Sequence, residues 1–252
     1  MEYILDFSDS NDKLVRIQGL RPLCQMELVP MPFVTENQRV TIVVPITTQR
    51  IEQVQRFLDG FFNFSTDQKL NTVLIFIIVT TSQRTSGEHF LDDRDVKAIQ
   101  KMVSYYNGKI PKTVLDRVKA GYMLVPRKKS LPISLLNGVE AVINRIMGTS
   151  ALILVADVNV SLKDEFINRV RMNTIFNAQV FSPIPFVEHN PSVYLGKNSN
   201  DGEIEVSRYS GYFDPNEFRF FSFYAADFVA ARRKLSSADL ADFERFHDLS
   251  SL

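Results

Sequence analysis

ALILVA at residues 151–156 is an unbroken apolar run that ends on the polar triplet Asp157-Val158-Asn159. An apolar run of this length, bounded by polar residues, is typical of a buried strand. Side chains of a strand alternate between its two faces, so Asp157 and Asn159 point to the same side. A hard cation prefers oxygen ligands, which a carboxylate and an amide carbonyl both supply. The alternative interpretation is that Asp and Asn end the strand because both favour turns.

The chain upstream of this run alternates between strand-type and helix-type patterns. Short β-branched and apolar runs are separated by segments in which apolar residues recur at helical spacing. The predicted strands cover residues 40–44, 72–79, 122–126 and 152–156, and the predicted helices cover residues 51–61, 96–106 and 133–147. This alternation predicts an α/β fold with a mostly parallel sheet and helices on both faces. Because open sheets bind ligands at the carboxyl ends of their strands, we expect Pro45, Thr47 and Asp157 to face one crevice.

The composition is that of one sizeable globular domain. Of the 252 residues, 45% are hydrophobic and 23% are charged, and the formal net charge is zero. These values predict no nucleic-acid partner and no membrane contact by this segment. Cys24 is the single cysteine, which excludes an internal disulfide and a cysteine-based zinc site. The longest apolar run, residues 73–79, is too short to span a bilayer.

Five segments in a fixed order resemble one known family. They are VVPITTQR at 43–50, FINRVRMNTI at 166–175, QVFSPIPF at 179–186, NPSVY at 190–194 and SFYAADFVAAR at 222–232. Together with the Asp157 triplet they resemble the chondroitin synthase family, over roughly residues 39–250. The last segment is most similar to the polymerizing-factor branch of that family.

The resemblance implies a GT-A-like (Rossmann-type) glycosyltransferase domain over residues 39–235. Residues 1–38 are then an N-terminal linker or extension, which contains either a connecting segment or a strand pair from a preceding domain. Residues 236–252 are expected to form a truncated C-terminal tail. Family members are type II Golgi proteins, so we expect a Golgi lumen location, with the membrane anchor in the full-length protein and outside this chain.

The resemblance also implies which residues bind the donor. Pro45, Thr47, Arg50 and Asp157 match the nucleotide-sugar site, and Asp157 and Asn159 match the metal site, so a UDP-sugar donor and Mn²⁺ are the expected ligands. The alternative for Arg50 is a solvated residue at the start of a helix. Asn159 brings no charge where active members carry a second carboxylate, so the metal site is weakened.

Other departures affect catalysis. KSLP at 129–132 has no donor-facing arginine, and 238–246 has no Gly-rich turn before its acidic residues. The family's VHVHH segment does not occur before Leu252, so we expect its histidine to be missing from the metal shell. No catalytic residue is therefore predicted, and whether the chain is an enzyme stays open.

Three hypotheses follow. The first is a non-catalytic polymerizing-factor partner that forms a hetero-oligomer with an active chondroitin synthase and acts on the chondroitin chain. The second is an active hexosyltransferase that uses UDP-GalNAc or UDP-GlcA with a one-carboxylate metal site, and the third is an unrelated α/β binding domain. The aromatic residues of 209–213 and 218–224 are either a partner surface or part of the domain's own core.

Overall fold

A computed structural model describes residues 2–8, 14–20, 27–28, 38–65, 71–80, 91–126, 131–145, 150–189, 206, 209–217 and 219–235. The chain divides into two compact units, Met1–Glu36 and Asn37–Leu252, and each is described by itself. The predicted tail at 236–252 and the KSLP segment lie outside the described residues, apart from the two residues that begin a helix at Leu131.

The first unit contains three short strands: β1 (Glu2–Ser8), β2 (Leu14–Leu20) and β3 (Glu27–Leu28). They form an antiparallel sheet in the order β1-β2-β3. Arg16 Nε donates to Asp6 Oδ1 at 2.8 Å across the first pair of strands. Both side chains are largely exposed, so this ion pair adds little to stability.

The second unit contains the remaining elements. In chain order they are β4 (Val40–Ile46), α1 (Ile51–Ser65), β5 (Thr72–Thr80), α2 (Asp93–Lys109), α3 (Lys112–Leu115), β6 (Val118–Pro126), α4 (Leu131–Arg145), β7 (Leu152–Val155), α5 (Asp164–Asn173), β8 (Phe186–Glu188), β9 (Gly211–Phe213), β10 (Phe221–Tyr224) and α6 (Ala225–Lys234). None of the helices among the described residues has the length and apolar character needed to cross a membrane.

The central sheet has five strands in the order β10-β7-β4-β5-β6. The strands β7, β4, β5 and β6 are parallel, and β10 pairs with β7 in the antiparallel direction. The sheet is therefore mostly parallel, as predicted. The strands β8 and β9 form a separate antiparallel ribbon.

Both faces of the sheet are buried. One core packs strand residues such as Ile42 and Val44 against α1, α2 and α5, whose buried residues include Val54, Phe57, Leu58, Val96, Ile99, Val103, Ile167 and Val170. The other core packs Val43 and Ile153 against α4 and the start of α6, through Val139, Val142, Ile143 and Ala225. Burial on both faces explains why β4, β5 and β7 are continuous apolar runs in the sequence. The predicted helices on both faces are confirmed.

Each predicted strand and helix is present, and the boundaries differ from the predicted ones by up to four residues. β6 begins at Val118, four residues before the predicted strand at 122–126. At the start of β6, buried Val118 and Ala120 flank exposed Lys119. This part of the strand therefore alternates between buried and exposed residues and is not an apolar run. The sequence analysis predicted neither β10 nor α6, although both complete the sheet and its second core.

Candidate functional site

The candidate site lies at the carboxyl ends of β4 and β7, where the strand order of the sheet reverses. From β4 the chain continues through α1 to β5, which lies on one side of β4 in the sheet. β7 lies on the other side of β4, and β10 lies next to β7. The pairing of β4 with β7 ends at Val43 and Val155, so Pro45 and Asp157 each lie two residues beyond the last pair of these neighbouring strands. In open α/β sheets such a reversal is where ligands bind.

The loop after β4 is held by its own side chains. Thr47 is 9% exposed, and its backbone N–H donates to Gln49 Oε1 at 2.6 Å. The N–H of Thr48 donates to the same oxygen at 3.1 Å. Gln49 therefore fixes the turn that carries the chain from β4 into α1. Pro45 is half-buried on the strand itself.

The start of α1 is connected to the Asp157 triplet by a series of hydrogen bonds. The backbone N–H of Arg50 donates to Gln53 Oε1 at 2.9 Å, which is the side-chain half of a capping box three residues into a helix. Gln53 Nε2 donates to Asn159 Oδ1 at 3.1 Å. Because a backbone N–H is always a donor, the first bond sets the orientation of the Gln53 amide and, through it, that of Asn159.

The same series ends on the Asp157 carboxylate. Asp157 Oδ1 accepts from the backbone N–H and from Nδ2 of Asn159, both at 2.8 Å. The Asn159 amide therefore turns its nitrogen toward Asp157 and its oxygen toward Gln53. This arrangement combines the two sequence interpretations, because the triplet forms a turn that is closed by an Asp side chain and also lies at the ligand crevice.

The second oxygen of Asp157 faces a cation. Arg219 Nη1 lies 3.3 Å from Asp157 Oδ2, and the Asp157 side chain is only 17% exposed. Arg219 is held in turn by Glu217, whose Oε2 accepts from Nε at 2.8 Å and from Nη2 at 2.5 Å. The Arg219 backbone N–H donates to Glu217 Oε1 at 2.9 Å. These hydrogen bonds from Arg219 lower the pKa of Glu217 and raise that of the guanidinium.

This donor set does not fit a divalent cation as it stands. Both Asp157 oxygens accept hydrogen bonds, and the Asn159 carbonyl oxygen accepts from Gln53. Among the described residues, no group of three or more His, Cys, Asp or Glu side chains is placed to hold a metal ion. A site for Mn²⁺ at Asp157 and Asn159 therefore stays a prediction, and an ion there would compete with Arg219 for Asp157 Oδ2.

A cavity of about 270 Å³ adjoins the series of hydrogen bonds, between α1 and the loop after β7. Its walls combine polar groups of Gln53, Arg56 and Asn159 with the apolar side chains of Phe57, Val158 and Leu162. This volume lies just below the range of about 300–1,000 Å³ that is usual for small-molecule sites. Gln53 and Asn159 thus belong both to the cavity wall and to the bonds that orient Asp157.

The structure brings Asp157 and Asn159 together and places Pro45 and Thr47 at the same edge of the sheet. The Arg50 side chain is exposed at the start of α1. The sequence analysis missed Gln53, Glu217 and Arg219. Gln53 was detectable, since a Gln three residues after the residue preceding a helix is a capping signal. Arg219 lies 62 residues from Asp157, and no local pattern marks it.

Comparisons with known proteins identify relatives of this chain. The chain is 25% identical to chondroitin sulfate synthase 2 of Mus musculus over 237 residues, which are 93% of this chain and 29% of that protein. It is 25% identical to chondroitin sulfate glucuronyltransferase of Homo sapiens over 254 residues, covering 94% of this chain and 31% of that protein. It is 27% identical to chondroitin sulfate synthase 3 of Homo sapiens over 196 residues, or 77% of this chain and 20% of that protein.

The mostly parallel sheet, covered by helices and carrying Asp157 at the strand reversal, has the architecture of the GT-A-like class of glycosyltransferase domains. The chain belongs to the chondroitin N-acetylgalactosaminyltransferase family, whose model matches residues 1–251. It spans about three-tenths of the length of the first curated relatives that it matches. The family resemblance predicted from the sequence is therefore confirmed.

Proposed function

We propose that this domain serves chondroitin sulfate biosynthesis as a non-catalytic partner of an active chondroitin synthase, in the manner of a polymerizing factor. The relatives' names, chondroitin sulfate synthase 2 and 3 and chondroitin sulfate glucuronyltransferase, support the pathway. The proposal has three parts: a synthase as the partner, the chondroitin chain as the shared substrate, and no sugar transfer by this chain itself.

One observation carries the proposal: both oxygens of Asp157 are engaged. Oδ1 accepts two hydrogen bonds from Asn159, and Oδ2 lies against Arg219. A metal ligand must turn an oxygen toward the ion. In this arrangement Arg219 occupies the side of Asp157 Oδ2, and the Asn159 carbonyl oxygen is turned toward Gln53, which favours a supporting role over transfer.

An exposed aromatic surface is consistent with a partner. Tyr209, Tyr212 and Phe213 are 63%, 51% and 59% exposed, whereas Phe220, Phe223 and Tyr224 are buried in the domain's own cores. The predicted aromatic segments therefore divide into an exposed half at 209–213 and a core half at 220–224. Aromatic side chains are enriched at protein interfaces, so we assign the exposed half to the synthase contact.

The test is a transfer assay with chondroitin oligosaccharides and radiolabelled UDP-GalNAc or UDP-GlcA, in the presence of Mn²⁺. The purified chain alone is expected to transfer no sugar. Added to an active chondroitin synthase, it is expected to lengthen the products, and Asp157→Ala is expected to retain this effect. Transfer by the chain alone that disappears in Asp157→Ala would refute the proposal and establish the one-carboxylate hexosyltransferase instead.

A second measurement tests the assigned surface. Tyr212→Ser combined with Phe213→Ser is expected to weaken co-purification with the synthase, because it removes exposed aromatic area from the contact. Tyr105→Ser is the matched control, since Tyr105 is 59% exposed on α2. Equal co-purification of both variants contradicts the assignment. The proposal also includes a Golgi lumen location, which immunofluorescence of the full-length protein checks.

A further inference from the structure

Two Asn-X-Ser sequences occur in the chain, and each is a candidate acceptor for an N-linked glycan. They are Asn63-Phe64-Ser65 at the end of α1 and Asn159-Val160-Ser161 after β7. A third, Asn190-Pro191-Ser192, is excluded because proline at the middle position prevents glycan transfer. Glycans are bulky and lie on the protein surface, so the surroundings of Asn63 and Asn159 decide which of them the folded domain can carry.

Asn63 lies on the outer side of α1. The two residues before it, Phe61 and Phe62, are buried in the core. Asp59 and Gly60, which share its side of the helix one turn earlier, are exposed, as is Asn63 itself. A Cβ added at Gly60 would meet nothing within 4 Å, so the surface beside Asn63 is open. The helical period therefore directs residue 63 to solvent and leaves room for a first sugar.

The end of α1 is far from the crevice. α1 begins at Ile51, just after the carboxyl end of β4, and leads to β5, which runs parallel to β4. The last turn of α1 therefore lies toward the amino ends of the strands. From Ile51 to Asn63 the helix rises about 18 Å, at about 1.5 Å per residue. A glycan on Asn63 would leave the candidate site uncovered.

Asn159 has different surroundings. It is also exposed, but its Nδ2 donates to Asp157 Oδ1 at 2.8 Å and its Oδ1 accepts from Gln53 at 3.1 Å. Asn159 and Ser161 both line the cavity between α1 and the loop after β7. A glycan on Asn159 would therefore have to fill the crevice, and it would crowd the hydrogen bonds that join α1 to this loop.

We infer that Asn63 carries an N-linked glycan and that Asn159 does not. In this modification, Asn63 Nδ2 forms a bond to C1 of a sugar and releases a proton to solvent. The bond from C1 to the diphosphate of a lipid-linked oligosaccharide donor breaks, and the lipid diphosphate leaves. The inference rests on the lumenal location in the proposed function, because proteins are N-glycosylated as they enter the secretory pathway. It also places the outer side of α1 outside the synthase contact.

The experiment expresses this chain behind a cleavable secretory signal in cultured animal cells and treats the secreted protein with peptide-N-glycosidase F. This enzyme removes the glycan and leaves aspartate in place of the glycosylated asparagine, which peptide mass spectrometry locates. The wild type is expected to lose the mass of one glycan and to show the conversion at position 63. Asn63→Gln is expected to migrate like the treated wild type, and so is Ser65→Ala, which keeps Asn63 and removes only the acceptor sequence.

Two variants are matched controls. Ser65→Thr keeps an acceptor sequence and is expected to retain the glycan. Asn159→Gln removes the second acceptor sequence and is expected to leave the glycan mass unchanged. Ser65→Ala is also expected to co-purify with the synthase as the wild type does, because the glycan lies away from the contact.

The inference is overturned by a glycan at Asn159, with or without one at Asn63. A secreted chain that carries no glycan also overturns it. Because the added signal delivers the chain to the lumen, that result leaves the proposed function to be decided by the transfer assay and by immunofluorescence. Stronger co-purification of Ser65→Ala than of the wild type would place the glycan within the synthase contact and contradict its position on the outer side of α1.

Discussion

Asn107 on α2 forms a two-way pair of hydrogen bonds with the backbone of Ala120 on β6. Asn107 Nδ2 donates to the Ala120 carbonyl oxygen at 2.7 Å, and Asn107 Oδ1 accepts from the Ala120 N–H at 2.9 Å. β6 is the outer strand of the five-stranded sheet, so these two groups have no neighbouring strand. The side-chain amide thus replaces a strand at the sheet edge.

Asn107→Ala is expected to lower the free energy of unfolding by about 1–3 kcal/mol, because it leaves a partly buried N–H and C=O without their partner. Urea denaturation monitored by circular dichroism measures the change. Asn144→Ala, at an exposed position of α4, is the control and is expected to be neutral or slightly stabilising. Equal unfolding midpoints for the two variants would show that solvent replaces the Asn107 amide at no cost.

Gly211 and Gly60 are expected to respond in opposite ways to the same change. A Cβ at Gly211 would overlap the Val187 carbonyl oxygen and come within 2.6 Å of the Phe186 ring, whereas a Cβ at Gly60 meets nothing within 4 Å. Gly211→Ala is expected to cost about 1–3 kcal/mol through overpacking of the β8–β9 ribbon. Gly60→Ala, on the exposed side of α1, is expected to gain about 0.5–1 kcal/mol. Thermal unfolding of both variants checks the signs.

The hydroxyls of Thr174 and Ser222 lie 2.5 Å apart in the buried interior. Ser222→Ala is expected to cost about 1–3 kcal/mol, since it leaves a buried Thr174 hydroxyl unpaired. Thr174→Val in the same protein removes that unpaired group, so the double variant is expected to be less destabilised than the sum of the single variants. A double-mutant cycle in urea measures the coupling, and strict additivity would contradict it.

The acid dependence of stability is expected to include Glu217. Hydrogen bonds from Arg219 hold the pKa of Glu217 below its ordinary value of 4.5. A group whose pKa is lower in the folded state stabilises the fold above its ordinary pKa, and this contribution is lost as pH falls through the folded pKa. Glu217→Gln is therefore expected to be less stable at neutral pH and to lose less stability on acidification.

Carboxyl NMR titration of Glu217 checks the direct cause. In Arg219→Ala its pKa is expected to rise toward the ordinary value, because the guanidinium that donates twice to Glu217 Oε2 is gone. An unchanged titration in that variant would separate the low pKa from the contact with Arg219.

The sheet was predictable from the sequence because its inner strands are buried on both faces. β4, β5 and β7 are continuous apolar runs, and a local pattern identifies them without any knowledge of their neighbours. The pairing of β10 with β7 was not predictable in this way, because FSFY at 221–224 carries no signal for its partner. Strand pairing between distant segments is decided by the whole fold rather than by local periodicity.

The candidate site was predictable to the same extent. Asp157 and Asn159 stand out because they end a strand, and their closeness follows from their spacing. Arg219, with Glu217 bound to it, approaches Asp157 only because the segment before β10 returns to the strand end of β7. The sequence therefore indicated the carboxylate and missed the guanidinium that contacts it.

The position of β10 has a consequence for the order in which the domain matures. β4, α1 and β7 all leave the ribosome before residue 219 is translated, so the nascent chain presents Asp157 without its guanidinium. A chain interrupted before residue 219 would therefore lack the guanidinium that contacts Asp157 Oδ2, and its crevice would hold the carboxylate without that cation.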